Sequence, residues 1–238
     1  MSLDDHIAQA RANLLAAAAQ AGGPLVMAYS AGKDSIVACH LAKEVLGLTA
    51  AVCDNSFWFV RHQADAQRTA AQIGIKVAYR DRFGWRYLLR HPDWMFRADS
   101  KMAPLYGQRQ QSTVKNYAKR EGFAGAIYGR RTEENMVPSP CYQTKDGIWQ
   151  IHPLRDWKTD HIWQYIARYN LHVPAIYSSE VGRQDGSTPA IFLDPAKYSR
   201  PVDLVIQGFC PETYALMKAL DLFTLYRKHN GRYHSAPA

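Results

Sequence analysis

The stretch Leu25-Val26-Met27-Ala28-Tyr29-Ser30-Ala31-Gly32-Lys33-Asp34-Ser35 passes from a short apolar run into a turn and then into a helical pattern. Residues 25–29 suit a strand buried on both faces. From Asp34 to Leu46 the stripe Ile36, Val37, Leu41, Ala42 and Val45 has a helical period, closed by Gly47. A turn placed between a buried strand and a helix aims backbone N–H groups and the positive end of the helix dipole at one spot, which favours a phosphate. Gly32 permits close backbone approach, Lys33 adds a mobile charge, and Ser30 and Ser35 add hydroxyls. Asp34 is the odd member: beside phosphates a carboxylate must hold a cation or cap the helix. The turn is not a Walker A loop, which needs Gly at Met27 and Ser or Thr at Asp34, and a dinucleotide turn needs more glycines than Gly32.

The flanking sequence extends the pattern. An Ala-rich helix over residues 4–21, with Ile7, Leu14 and Leu15 on its period, ends at Gly22-Gly23-Pro24. Thr49–Cys53 reads as a second strand, Val60–Ile73 as a helix stopped by Gly74, and Ile75–Tyr79 as a third strand. Thr113–Glu121 reads as a helix, Ala124–Tyr128 as a fourth strand and Trp149–His152 as a shorter fifth. Asp160–Tyr169 reads as an amphipathic helix with Ile162, Trp163 and Ile166 inward. Strands alternating with helices predict an α/β fold: an open, mostly parallel five-stranded sheet with helices on both faces. A C-terminal helical extension follows, with one helix from about Pro211 to Tyr226. The expected organisation is an N-terminal helix over 1–23, a nucleotide-binding domain over 24–178 and an extension over 179–238.

The net charge of +8 suits an anionic partner such as a nucleotide, a sulfate ester or nucleic acid. The Arg- and aromatic-rich stretch from Arg80 to Arg131 suits single-stranded nucleic acid, although a solvated helix face with snorkelling arginines accounts for it better. The four cysteines at 39, 53, 141 and 210 show no CxxC spacing, so reduced thiols are expected rather than a zinc or iron–sulfur cluster. Asp4, Asp5 and His6 stand where a secretory leader is basic, and no apolar run reaches about 18 residues. Both predict a cytoplasmic protein without a membrane span; association with further copies of itself stays open.

Ser30-Ala31-Gly32-Lys33-Asp34-Ser35 resembles the PP-loop of the adenine nucleotide alpha-hydrolase superfamily, usually Ser-Gly-Gly-Lys-Asp-Ser, with Ala31 in place of one glycine. Tyr128-Gly129-Arg130-Arg131-Thr132-Glu133-Glu134-Asn135 is similar to the Gly-x-Arg segment of one branch, the phosphoadenosine phosphosulfate reductase family. His152-Pro153-Leu154-Arg155-Asp156-Trp157 through Ile166, with Val173-Pro174-Ala175-Ile176-Tyr177, resembles the same branch's Pro-Leu-x-x-Trp and Pro-x-(Leu/Ile)-Tyr segments. The resemblance implies a site for ATP or a related adenine nucleotide, with phosphates on Ser30, Ala31, Gly32, Lys33, Asp34, Ser35, Gly129, Arg130 and Arg131. It implies Asp54 near the ribose, Asp34 and Asp54 as carboxylates for Mg²⁺, and Lys33 and Arg130 stabilising charge during reaction. Asp93–Lys101 is distantly similar to the family's Trp-Cys-x-x-x-x-Lys stretch, with Met95 or Phe96 in the cysteine place and Lys101 as the lysine for the substrate anion.

One element of the branch has no match. The reductases carry a nucleophilic cysteine in Glu-Cys-Gly-(Leu/Ile)-His, whereas Leu225–His234 holds no cysteine. The sequence therefore favours attack of an unknown acceptor on the α-phosphate of ATP, with pyrophosphate leaving. The alternatives are a phosphoadenosine phosphosulfate or adenylylsulfate reductase that uses Cys210 or Cys141, and a non-catalytic nucleotide- or nucleic-acid-binding module.

Overall fold

The computed structural model describes residues 2–81, 84–92, 112–134, 137, 139–185, 190–191 and 193–230. These fall into two compact units. The first comprises Met1–Asp54, Ala66–Arg80 and Gln110–Val173, and the second Asn55–Asp65, Asp81–Arg109 and Pro174–Ala238.

The first unit is built on a six-stranded sheet. Its strands are β1 (Leu25–Ala28), β2 (Ala50–Asp54), β3 (Lys76–Arg80), β4 (Gly125–Ile127), β5 (Cys141–Gln143) and β6 (Trp149–Ile151), in the order β3-β2-β1-β4-β6-β5. Five strands run parallel, as the apolar runs predict, and β5 pairs antiparallel with β6 at the edge. β5 is the strand missing from the sequence reading. It is short and none of its residues is fully buried, so it lacks the apolar run that marks its neighbours.

Helices α1 (Leu3–Ala21), α2 (Lys33–Leu46), α5 (112–120) and α6 (Thr159–Arg168) complete this unit, together with the second part of α3 (Val60–Ile73). Side-chain alternation puts Val26, Val52 and Ala126 on one face of the sheet, where they meet Val114 and Ala118 of α5. α2 lies against β1 and β4 and itself carries α1 and α6. α1 starts on a reciprocal cap: Asp5 N–H donates to Ser2 Oγ at 3.2 Å and Ser2 N–H to Asp5 Oδ2 at 2.8 Å. Its buried stripe is Ile7, Ala10, Leu14 and Ala17; Leu15, expected on that stripe, is 55% exposed. In α6 the buried residues are Ile162, Tyr165 and Ile166, and Trp163 lies outside the stripe. At about 100° per residue, Trp163 cannot share one face with both Ile162 and Ile166.

The chain lays β2 and β3 on one side of β1, then returns to lay β4 on the other. The strand order therefore reverses between β1 and β4, and in open parallel sheets ligands bind at that point, beyond the carboxyl ends of the strands. The segments after β1 and after β4 both emerge there.

In the second unit the chain forms α4 (Trp85–Arg90), α7 (Glu180–Asp185), α8 (Val202–Phe209), α9 (Pro211–Ala219) and α10 (Leu222–Asn230), with the first turns of α3. Val60 N–H donates to Thr213 Oγ1 at 3.0 Å, and Ala175 N–H to Asp65 Oδ2 at 2.8 Å. Where the sequence predicts one helix over about 211–226, the structure has two. Asp221 breaks them with φ at 53°, a left-handed conformation that aspartate tolerates better than most residues. Among the described residues no helix is long and apolar enough to cross a membrane.

Candidate functional site

The turn after β1 is shaped by Ser35. Its hydroxyl donates to Gly32 O at 2.9 Å and accepts from Ser30 N–H at 3.2 Å, while Ser30 Oγ lies 3.2 Å away. Ser35 is buried, so this hydroxyl holds the turn together rather than standing open as a donor. Gly32 is the residue that caps α2, and it supplies no side-chain hydrogen bond. The first-turn amides of α2 are thus not capped by a side chain of the cap residue. Ala31, fully buried, sits at φ 53°, where the family pattern has glycine.

β4 pairs with β1 in the register Met27↔Ile127, which carries Gly129 against the start of α2. A Cβ on Gly129 would fall 2.5 Å from the backbone carbonyl of Asp34 and 2.7 Å from Ser35 N. Glycine is needed here for contact, because no real Cβ sits so close to backbone. This contact brings Arg131 to the turn.

Arg131 is fully buried and tied on every side. Its Nε donates to Asp34 Oδ1 at 2.6 Å, its Nη2 to Glu134 Oε1 at 2.6 Å, and its Nη1 to Glu133 Oε2 and to Trp157 O. Burial works against its charge, yet the Asp34, Glu133 and Glu134 carboxylates hold the guanidinium above its ordinary pKa. Asp34 is therefore a cation holder, and the cations are Arg131 and Lys33, whose Nζ lies 2.7 Å from Asp34 Oδ2. Lys33 Nζ also lies 3.2 Å from Glu134 Oε1. Glu133 reaches further, accepting from Thr159 N–H at 2.9 Å and Thr159 Oγ1 at 2.8 Å, and so caps α6. Bonding to Thr159 and then to Arg131 keeps the Glu133 carboxyl below its usual pKa.

Arg130 takes a different direction. Its guanidinium stands 5.1 Å over the ring of Tyr128, which stacks on His152, which stacks on Tyr142. His152 is buried, and neither of its ring nitrogens has a hydrogen-bond partner among the described residues. Burial, helped by the Arg130 charge, pushes its pKa down to about 4, so it is neutral near pH 7. Asp54, at the end of β2, is buried and accepts from Thr113 Oγ1 at 2.8 Å. Lys101 lies outside the described residues.

The structure thus brings the Ser30–Ser35 turn together with Gly129 and Arg131. Glu133 and Glu134, whose place beside the two arginines suggests ion pairs, do pair with Arg131, whereas Thr159 and His152 are not singled out by the sequence. The Glu-Glu pair beside Arg130-Arg131 was a local signal for ion pairing, but nothing local announces that Asp34 and Thr159 complete the network.

Residues 24–200 match the phosphoadenosine phosphosulfate reductase domain. The chain belongs to the phosphoadenosine phosphosulfate reductase family. That places it in the adenine nucleotide alpha-hydrolase superfamily, as the motifs imply. Among solved structures, phosphoadenylyl-sulfate (PAPS) reductase from Candida auris, determined as a phosphate complex, is similar with a TM-score of 0.50. The likeness covers 65% of this chain and 76% of that one at 15% identity, and it speaks for the fold. No curated protein matches. Membership of the phosphoadenosine phosphosulfate reductase family supports the reductase-like alternative better than the adenylyl transfer that the sequence alone favours.

Family membership turns attention to the thiols. Cys39, Cys53 and Cys210 are buried, and Cys141 on β5 is half-buried. Burial pushes the Cys39, Cys53 and Cys141 thiols above the ordinary value. Cys210 Sγ sits 3.1 Å from Thr213 Oγ1 and 3.4 Å from Glu212 Oε2.

Proposed function

We propose that the chain is an oxidoreductase of the sulfonucleotide type, acting on phosphoadenosine phosphosulfate or adenylylsulfate held with its anionic groups at the Ser30–Ser35 turn. The observation that carries this reading is the family match over 24–200, which spans the turn and the Gly129-Arg130-Arg131 segment packed against it. The chemistry consumes two thiols. A thiolate attacks the sulfur, the S–O bond to the adenylyl phosphate breaks, and the nucleotide leaves with the electron pair. A second thiolate attacks the resulting thiosulfonate; sulfite leaves with its electron pair and a disulfide remains. Lys33 and the first amides of α2 would steady the departing phosphate. The reductant is an external dithiol. Cys141 is the least buried of the four cysteines and is the candidate for a thiol supplied by the chain itself.

A second reading is favoured by the burial of the thiols: the turn holds ATP, an acceptor oxygen attacks the α-phosphorus, and pyrophosphate leaves. It needs no cysteine. The resident carboxylates fit Mg²⁺ poorly, because both Asp34 oxygens already hold cations and Asp54 accepts from Thr113. Among the described residues no three His, Cys, Asp or Glu side chains gather as a metal-binding group.

One experiment separates the readings. The protein is incubated with phosphoadenosine phosphosulfate or adenylylsulfate and a reduced dithiol, and in parallel with ATP. Sulfite release that is lost in Lys33→Ala supports the reductase reading, and Cys141→Ala then reports whether the chain supplies a thiol. Pyrophosphate release from ATP without sulfite supports the second reading, and neither product sinks both.

A further inference from the structure

The turn is an anion site by geometry, yet the charges gathered behind it do not sum that way. Among the described residues, Asp34, Glu133 and Glu134 supply three carboxylates, while Lys33 and Arg131 supply two cations. One of these carboxylates differs from the others. Asp34 is 15% exposed and is held by both cations. Glu133, 45% exposed, is nevertheless tied to the start of α6 through Thr159. Glu134 is 39% exposed, lies on the turn over residues 132–134, and makes the longer of the two contacts to Lys33, 3.2 Å against 2.7 Å.

We infer that Glu134 is a displaceable counter-ion: its carboxylate stands at Lys33 where an oxygen of the ligand's phosphate or sulfate will stand, and gives way when the ligand binds. Its departure takes from Arg131 Nη2 the acceptor it has at 2.6 Å, but leaves the buried guanidinium two carboxylates: Nε keeps Asp34, and Nη1 keeps Glu133 and the Trp157 carbonyl. Lys33 exchanges one oxyanion for another. A partly exposed pair of this kind is weak enough to be broken by a better-charged competitor. Glu134 thereby sets a threshold. A singly charged anion gains little by replacing a carboxylate of equal charge, whereas a pyrophosphate or phosphosulfate group gains more. This makes Glu134 a specificity residue for the site and rests on the reading that the turn holds an anionic group.

The test is equilibrium binding of inorganic pyrophosphate and of adenylylsulfate to the wild-type protein, Glu134→Gln, Lys33→Ala and the double variant. Glu134→Gln is expected to tighten both by about three- to fivefold, the size of a partly exposed ion pair, and to tighten inorganic phosphate at least as much. In the Lys33→Ala background the same change is expected to alter affinity less than twofold. If wild type binds and Lys33→Ala weakens binding, but Glu134→Gln leaves affinity unchanged or lowers it, the counter-ion role is overturned while the site reading stands. Equal tightening in both backgrounds also overturns it, since the effect would then be general charge. If neither wild type nor Glu134→Gln binds either anion, the site reading fails and the inference with it. Thermal melting without ligand checks folding. Should Glu134→Gln not fold, Glu134→Asp withdraws the carboxylate from Lys33 by one methylene and is expected to tighten binding in the same direction; loss of binding there sinks the idea.

Discussion

Ala31 carries a cost that its neighbours impose. An L-residue in the left-handed region pays roughly 1–2 kcal/mol for the approach of its Cβ to the next carbonyl. Ala31 is held there, at φ 53°, by a turn whose shape Ser35 fixes. Ala31→Gly is expected to relieve that strain, offset in part by the greater freedom of glycine in the unfolded chain. A net gain of up to about 1 kcal/mol should appear in urea unfolding; a loss of stability would show that the alanine methyl packs for more than its backbone costs. The turn was legible in the sequence because its chemistry is local: one strand end, one glycine, one lysine and two serines within a few residues. The partner of Asp34 was not, because Arg131 stands 97 positions away. Nothing in Gly-Arg-Arg says which arginine turns inward. Burial decides it, and the inward arginine is the one surrounded by three carboxylates, leaving Arg130 to lie over Tyr128.

At the scale of elements, the β1 turn and the β4 segment are joined at Gly129. Gly129→Ala would force a methyl to within about 2.5 Å of the Asp34 backbone, and one of the two segments must retreat. Overpacking of this kind costs roughly 1–3 kcal/mol. The expected outcome is a folded but less stable protein in which nucleotide affinity falls by more than tenfold, read by calorimetric titration; unchanged affinity would mean that the register of the two segments does not matter to the ligand. Strands β1 to β4 and β6 were readable because burial on both faces demands apolar runs. β5 was not, since a half-exposed three-residue edge obeys no such demand. The break between α9 and α10 falls at Leu220-Asp221, without the glycine or proline that usually announces one. Trp163 shows the converse error: an aromatic residue counted inward by type, and placed outward by helical angle.

For the molecule as a whole, the buried stack around His152 makes stability depend on acid. The imidazole titrates near 6.5 when unfolded and at about 4 when folded, so within that window the unfolded chain takes up the proton first. His152 thus costs nothing above the unfolded value, and stability falls as the pH drops below it. The loss reaches about 3 kcal/mol by the folded value, from about 1.4 kcal/mol per unit. Carboxylates with lowered values, Glu133 and Asp146 among them, lose their contributions only lower in the pH range. Urea unfolding at pH 7 and at pH 4.5 should therefore show a larger drop for the wild-type protein than for His152→Phe. Equal drops would mean that the ring is solvated or partnered when folded.

The flanks of the sheet have a consequence for how the protein behaves when crowded. An outermost strand is a template on which foreign chains polymerise, and the hazard grows with length and flatness. On one flank β5 offers three residues in the direction opposite to its neighbour, too short a platform to propagate a growing ribbon. On the other, β3 begins with Lys76 and ends with Arg80, so a second copy approaching that rim would set like charges against like. The short edge strand β5 and the basic ends of β3 are, in this sense, the molecule's protection against its own kind.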